Sequence, residues 1–149
     1  MSDDRRTDLI AAIQRDHREV EQLLTTVTSA SGDARRRAFA ELADKLKAHE
    51  AAEQKVVHPL TEQEGDPEEA QALRAEESAA AKALGKLEGL DADSPEFERA
   101  FEQLKADVLA HAQEEERDEH PRLQRETSAD ELERRGEQFE AEEARAAKG

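Results

Sequence analysis

The chain has no cysteine among its 149 residues, and only 3% of its residues are aromatic. The lack of cysteine excludes disulfides, thiolate zinc sites, iron–sulfur clusters and cysteine nucleophiles. A bound metal ion would therefore need nitrogen and oxygen ligands. Charged residues make up 40% of the chain, which raises the question of disorder. A regular helical periodicity argues against disorder for residues 7–125.

Long apolar runs and an excess of positive charge are also missing. No stretch approaches the roughly 20 apolar residues that cross a bilayer. The N-terminus lacks the apolar core of a signal peptide, so a cytoplasmic location is expected. The formal net charge of −16 makes nucleic acids and anionic membranes poor partners. The sequence identifies no protein partner.

Strong helix formers dominate the chain, and apolar residues recur with helical spacing. The pattern predicts four helices, over residues 7–29, 34–63, 67–88 and 95–125. The short loops between them favour an all-α fold, an up-down-up-down four-helix bundle in one domain over residues 1–126. A capping box that begins at Ser128 predicts a short C-terminal helix or a partly mobile acidic tail over residues 127–149.

A pattern of histidine and glutamate occurs twice, on the apolar faces of the second and fourth predicted helices. Both copies read His-x3-Glu-x4-His-Pro, and every element recurs 62 positions later, as from 49 to 111. The elements are, in order, His49, Glu53, His58 and Pro59, and then His111, Glu115, His120 and Pro121. The i, i+4 spacing places the first histidine and the glutamate of each copy on one side of a helix.

Two further polar residues lie on apolar helix faces, His17 on the first helix and Glu77 on the third. Taken singly, such residues are more often satisfied core histidines, or glutamates that reach solvent from the edge of the face. Three carboxylates buried together would repel one another, at a cost of several kcal/mol. A pair of cations would remove this cost, so the sequence predicts a two-metal site inside the bundle.

His58 and His120 are open to two interpretations. Each lies five residues after its glutamate, about 140° round an ideal helix, but the proline that follows can distort the helix and turn the ring inward. Each is therefore either a metal ligand, which we favour slightly, or a packing residue at the helix end. The acidic run 114–119, apart from Glu115, is interpreted as a solvated face because it lacks the loop of a calcium site.

These motifs resemble the hemerythrin-like HHE cation-binding domain. That family is a four-helix bundle with a histidine on helix one, His-x3-Glu on helix two, a histidine on helix three and His-x3-Glu on helix four. Asp16-His17 is similar to the first element, and the two His-x3-Glu pairs to the second and fourth. The resemblance covers residues 7–125. It implies a non-haem centre of two iron ions, joined by an oxo or hydroxo bridge.

The sequence departs from the family pattern in two respects. Glu76-Glu77-Ser78 stands where helix three usually has a histidine, and histidines precede Pro59 and Pro121 where an aromatic residue is usual. The resemblance implies that the carboxylates of Glu53 and Glu115 bridge the two irons. It also implies terminal ligands, which are His17, His49 and His111 and a third carboxylate, Glu77. So many carboxylates stabilise ferric iron and disfavour reversible oxygen carriage.

The resemblance implies a small diatomic or peroxide ligand: oxygen, peroxide or nitric oxide is bound, consumed or sensed. Consumption of peroxide or nitric oxide would make the protein an enzyme, which the sequence leaves open. One alternative is a helical bundle that holds zinc or manganese in the same cage. A second is a metal-free acidic interaction module. Metal content separates the second alternative from the others, and an absorption spectrum separates iron from zinc or manganese.

Overall fold

The computed structural model describes residues 8–64 and 66–148, which are helical apart from short connections and contain no strand. The all-α prediction is confirmed for this part of the chain. The expected helix start at Thr7, the N-terminal segment before it, and Gly65 in the loop expected between residues 63 and 67 lie outside the described residues. None of the helices between residues 8 and 148 combines the length and the apolar character that a membrane span needs.

The chain forms four long helical segments, which we call rods, and a fifth helix that follows them. Two of the rods contain a π turn, a short stretch with i→i+5 hydrogen bonds, between two α-helical parts. The order along the chain is α1 (Leu9–Ser29), α2 (Gly32–Ala52), a π turn (Glu53–Val57), α3 (His58–Gln63), α4 (Pro67–Glu88), α5 (Pro95–Glu114), a second π turn (Glu115–Glu119), α6 (His120–Glu126) and α7 (Ala129–Lys148).

Side-chain caps mark the starts of α1, α4, α5 and α7, and the sequence predicted the cap at Ser128. Asp66 accepts a hydrogen bond from the backbone N–H of Glu69 at 2.9 Å, and proline follows it at the first position of α4. Ser94 caps α5 and Ser128 caps α7 in the same way. Each cap satisfies an N–H group that the helix itself leaves unpaired. Asp8 caps α1, a start that the sequence pattern placed slightly earlier.

The core consists of two apolar clusters. The larger cluster includes Leu24, Leu42 and Phe97, and it fills the end of the bundle where α5 begins. The smaller one contains Leu9, Ile13, Val56, Leu60, Leu123, Leu132 and Phe139, and it fills the end where α3 and α6 finish. Buried histidines and carboxylates lie along the rods between the residues of these two clusters. The apolar clusters therefore hold a polar layer from both sides.

The predicted C-terminal helix is present, but it is longer than the short helix or tail that we expected. It is a 20-residue helix, α7, that packs against α1 and α2. Leu132 and Phe139 lie on one face of α7, two turns apart, and both are buried in the smaller apolar cluster. Ion pairs from Arg15 to Glu140 and from Lys55 to Glu142 flank that face. Burial of a helix face stabilises a segment whose composition alone resembles a solvated tail.

Candidate metal centre

The six polar residues predicted on apolar helix faces meet in the layer between the two clusters. They come from four rods: His17 from α1, His49 and Glu53 from the α2 rod, Glu77 from α4, and His111 and Glu115 from the α5 rod. Five of the six are buried, and the side chain of His111 is 17% exposed.

These six residues form two groups that share two carboxylates. In each group every residue offers one ligand atom, and these atoms lie within 4.8 Å of one another. The shared carboxylates are Glu53 and Glu115. One group adds His17 and His49 to them, and the other adds Glu77 and His111. Two nitrogen- and oxygen-lined groups joined by two carboxylates have the layout of a site for two adjacent cations.

The three histidines of the groups turn their Nε2 atoms toward the shared carboxylates. His17 Nε2 lies 3.1 Å from Glu115 Oε1, and His111 Nε2 lies 3.0 Å from Glu115 Oε2. His49 Nε2 lies 3.2 Å from Glu53 Oε2. His111 Nε2 is also 3.2 Å from Glu77 Oε2. Each imidazole therefore presents the same nitrogen to the centre.

The opposite nitrogen of each of these rings, Nδ1, contacts a carboxylate outside the groups. The distances are 2.6 Å from His17 to Glu116, 2.8 Å from His49 to Asp16 and 2.8 Å from His111 to Glu76. A carboxylate on the outer nitrogen fixes the tautomer and the ring orientation of a metal-binding histidine.

The sequence predictions missed these three carboxylates. Each is a direct neighbour of a predicted site residue in the chain, and Asp16 is also part of the Asp16-His17 element of the family pattern. With 38 acidic residues in the sequence, adjacency alone does not distinguish them from solvated side chains.

The π turns explain how the histidines before the prolines reach the interior. The backbone N–H of His58 donates to the carbonyl of Glu53, and that of His120 donates to the carbonyl of Glu115. An i→i+5 hydrogen bond stacks each residue over the one five positions earlier, so that glutamate and histidine share one face. His58 and His120 are 0% and 1% exposed. The inward turn that the sequence suggested is present, and it comes from the widened turn.

His58 binds a carboxylate of the centre. Its Nε2 lies 2.9 Å from Glu77 Oε2, and its Nδ1 is 3.8 Å from Glu119 Oε2. Glu119 in turn accepts a hydrogen bond from the hydroxyl of Thr61 at 2.6 Å. The interpretation of the acidic run 114–119 as a solvated face is therefore wrong for Glu119, which is fully buried, and for Glu116, which contacts His17.

His120 is buried without a hydrogen bond on either ring nitrogen within the described residues. Its ring is stacked on that of His17, with 6.1 Å between the ring centroids and 12° between the ring planes. Neither His120 nor His58 belongs to the two four-residue groups. Their role as metal ligands stays a prediction.

The unpaired buried atoms test whether this residue set fits a metal centre. Both carboxylate oxygens of Glu53, Oε2 of Glu115, Oε1 of Glu119, Nδ1 of His58 and both nitrogens of His120 lack a well-formed hydrogen bond. A buried polar atom without a partner costs about 1–3 kcal/mol, and more when it is charged. These atoms are all nitrogen or carboxylate oxygen, which are ligands for iron, zinc and manganese. The residue set therefore fits bound cations.

The carboxylates raise the pKa of the histidines in the centre. Burial alone lowers the pKa of His49, but attraction by Glu53 and the contact with Asp16 outweigh it and hold the value well above 6.5. For His58, burial is likewise outweighed by Glu119 and Glu77, and the pKa rises to about 10. The pKa of His111 also shifts upward. Without metal, protons on these rings therefore balance part of the carboxylate charge.

Helix α7 contributes to the surroundings of His49. The ring of Phe139 contacts the His49 ring edge to face, with 5.6 Å between the centroids. Glu143 Oε2 lies 3.9 Å from His49 Nδ1. On the same side, Lys45 forms an ion pair of 2.9 Å with Asp16, which itself contacts His49 Nδ1. His49 is therefore held by side chains from α1 and α7.

A cavity of about 300 Å³ lies beside the centre, between α1, α2, α4 and α5. His17, His49, Glu53, Glu77 and His111 form part of its wall. Of the eight predicted site residues, Glu115, His58 and His120 do not line it. The centre therefore faces the cavity with one side only.

Comparisons with known proteins identify a family and a similar fold. The model of the hemerythrin HHE cation binding domain matches residues 8–123. The crystal structure of a hemerythrin HHE cation binding domain-containing protein from Mycobacterium kansasii superposes with a TM-score of 0.84. The sequences are 23% identical, and the match covers 95% of this chain and 88% of that one. No curated protein matches significantly.

Proposed function

This chain belongs to the hemerythrin HHE cation binding domain family, and on that premise we propose that it is a non-haem di-iron protein. Its two ions would react with a small oxidant, oxygen, peroxide or nitric oxide, or sense it. Glu53 and Glu115 would bridge the ions, with His17 and His49 on one and Glu77 and His111 on the other.

The single observation that carries the proposal is the pair of four-residue groups with two shared carboxylates. Four carboxylates, Glu53, Glu77, Glu115 and Glu119, are buried between the rods with at most 1% exposure. Burying so many acidic groups costs several kcal/mol each unless cations compensate them. Bound metal best explains how the protein keeps these carboxylates buried, with Glu53, Glu77 and Glu115 close together.

Bound iron would supply one-electron redox chemistry and open coordination positions for a small ligand. The protein residues orient and protect it. Asp16, Glu76 and Glu116 hold the rings of the three histidines from outside, as carboxylates do in other metal centres. The apolar residues Leu60 and Leu123, which are 1% and 0% exposed, exclude water from the side of the π turns.

The ligand set favours a reaction with the oxidant over reversible oxygen carriage. The group of Glu53, Glu77, His111 and Glu115 contains three carboxylates and one histidine. Anionic oxygen ligands stabilise the ferric state relative to the ferrous state. The carboxylates of this group would therefore favour irreversible reduction of an oxidant over its release unchanged.

Elemental analysis and absorption spectroscopy test the proposal. We expect about two iron atoms per chain after iron reconstitution, together with ligand-to-metal bands of an oxo- or hydroxo-bridged ferric pair. The Glu53→Gln variant should lose most of the metal. Glu41→Gln, which changes an exposed glutamate on α2 of the same rod, should keep it. Trace metal in the wild-type chain, or equal metal in both variants, would contradict the proposal.

The same three-carboxylate group supports one alternative, a manganese centre. Oxygen-rich sets with a single nitrogen suit Mn²⁺ as well as iron. Competitive reconstitution with equal concentrations of both metals decides between them: retention of manganese and exclusion of iron would favour the alternative.

A further inference from the structure

The cavity beside the centre is larger than a small oxidant needs. Its volume is about 300 Å³, whereas one water molecule takes up about 30 Å³ in the liquid. Oxygen, peroxide or nitric oxide would fill only a small part of it. An apolar cavity of about 150 Å³ already accepts a benzene molecule. The cavity therefore has room for an organic molecule with a ring and a short side chain.

The inner wall of the cavity is aliphatic. It is formed by Val20 from α1, Leu46 from α2, Ala80 from α4, and Val108 and Ala112 from α5. Val20, Leu46 and Ala112 are buried, and Ala80 and Val108 are partly exposed. Water in contact with such a wall finds few hydrogen-bond partners, so an apolar ligand that displaces it gains free energy.

The opening of the cavity carries negative charge. Its lining includes the exposed residues Glu21, Glu76 and Asp107 and the partly exposed Glu114, and no Lys or Arg from the described residues lies among the lining side chains. Carboxylates at this density repel an anionic ligand and attract a cationic one. The aliphatic wall therefore accepts an apolar group, and the acidic opening favours a positive charge at the outer end of the ligand.

The end wall of the cavity is the metal centre itself. Glu53, whose carboxylate is fully buried and has no well-formed hydrogen bond, lines the cavity together with Glu77 and His111. A molecule in the cavity would thus have its apolar end beside the candidate ligands and its outer end at the acidic opening.

We propose that this cavity binds a small apolar amine, with its hydrocarbon part against the aliphatic wall and its ammonium group at the acidic opening. The inference rests on the proposed function in one respect, that the centre beside the cavity holds metal. The inference adds to it the class of organic ligand that binds beside this centre. Neutral molecules of the same shape bind more weakly, and carboxylates bind weakest.

Three probes of nearly equal size test the charge preference: 2-phenylethylamine, 2-phenylethanol and phenylacetate. Iron-loaded protein, with its metal content measured beforehand, is titrated with each probe by calorimetry at pH 7 and low salt. We expect the amine to bind at least about tenfold more tightly than the carboxylate, with the alcohol between them, and the ratio to shrink as salt is added.

Two sets of variants locate the binding. Ala80→Phe fills the cavity from α4, and Ala81→Phe places the same ring on the exposed side of that helix. The first should lower amine affinity about tenfold or more with unchanged metal content, and the second should leave it unchanged. The double variant Glu21→Gln and Asp107→Asn removes charge from the opening without touching a candidate metal ligand. It should reduce the preference for the amine over the carboxylate several-fold.

The two proposals fail in distinguishable ways. Protein with full metal content that binds none of the probes, or binds phenylacetate as tightly as the amine, overturns the ligand proposal and leaves the metal proposal standing. Protein without metal overturns the proposed function. The same titrations on the metal-free chain then still decide whether the cavity selects an apolar amine, because the aliphatic wall and the acidic opening belong to the chain itself.

Discussion

Replacing Phe139 by alanine should separate the two contributions that α7 makes, one to folding and one to the metal centre. Phe139 is fully buried in the smaller apolar cluster, and its ring contacts His49. Truncation of a buried phenylalanine costs about 3–5 kcal/mol. For a chain of this size, this lowers the melting temperature by roughly 6–20 °C.

The matched control is Leu132→Ala. Leu132 is 5% exposed, lies in the same apolar cluster and is two turns earlier on α7. Its truncation costs about 2–5 kcal/mol, so both variants lose comparable stability. Only Phe139→Ala removes the ring that fixes His49. Loss of a group that orients a metal-binding histidine costs about 10- to 100-fold in metal affinity, and we expect the lower end because the contact is packing and not a hydrogen bond.

Metal affinity is measured by competition with a chelator at a temperature where wild type and both variants are folded, as circular dichroism verifies. Phe139→Ala should bind metal about tenfold more weakly than Leu132→Ala. Equal affinities in the two variants would show that α7 acts on the centre only through overall stability, and the positioning argument would then be wrong. A weaker affinity in Leu132→Ala than in Phe139→Ala would contradict it as well.

Three more predictions concern metal and protons. Chelation should lower the melting temperature by roughly 5–11 °C if metal had been present at about 100 times its dissociation constant. An unchanged calorimetric transition would argue that the buried histidines and carboxylates do not bind metal. The pKa of His58 is raised to about 10 in the folded, metal-free chain. The stabilisation by its positive charge is therefore fully present below pH ~6.5 and is lost as the pH rises toward 10. Denaturant titrations should show that the free energy of unfolding falls across that range. The variants His58→Phe and His120→Phe should each lower metal content or shift the absorption bands, whereas unchanged content and spectra in both would make these residues packing groups.

The pattern of apolar residues was sufficient to predict the rods and the inner part of the centre. Glu77 illustrates why: a carboxylate at a core position of a regular heptad-like pattern is costly unless something pairs with it. In the structure it lies between His58 and His111. The prediction needed only the helical period, because that period fixes which side chains of each helix face the interior.

The outer carboxylates could not be predicted in this way. Asp16, Glu76 and Glu116 each lie one position from a core residue, at the edge of the helix face, where acidic residues are usually solvated. Whether such a side chain reaches the Nδ1 atom of a histidine depends on how two helices pack. The same holds for Glu143, which reaches His49 from α7. Contacts of this kind depend on tertiary structure, so the spacing of residues within one helix cannot predict them.

The π turns lie between these two cases. The prolines that cause them are visible in the sequence, but the geometry of the turns is not. Proline at 59 or 121 lacks an N–H, and its ring would clash with the carbonyl four residues earlier in a regular α-helix. A widened turn before each proline avoids this conflict and adds one residue to the turn. The added residue places a histidine five positions after its glutamate on the same face. The repeated Glu-x4-His-Pro segment therefore encodes both the interruption of the helix and the inward histidine, and its two copies place one such turn in each of two rods.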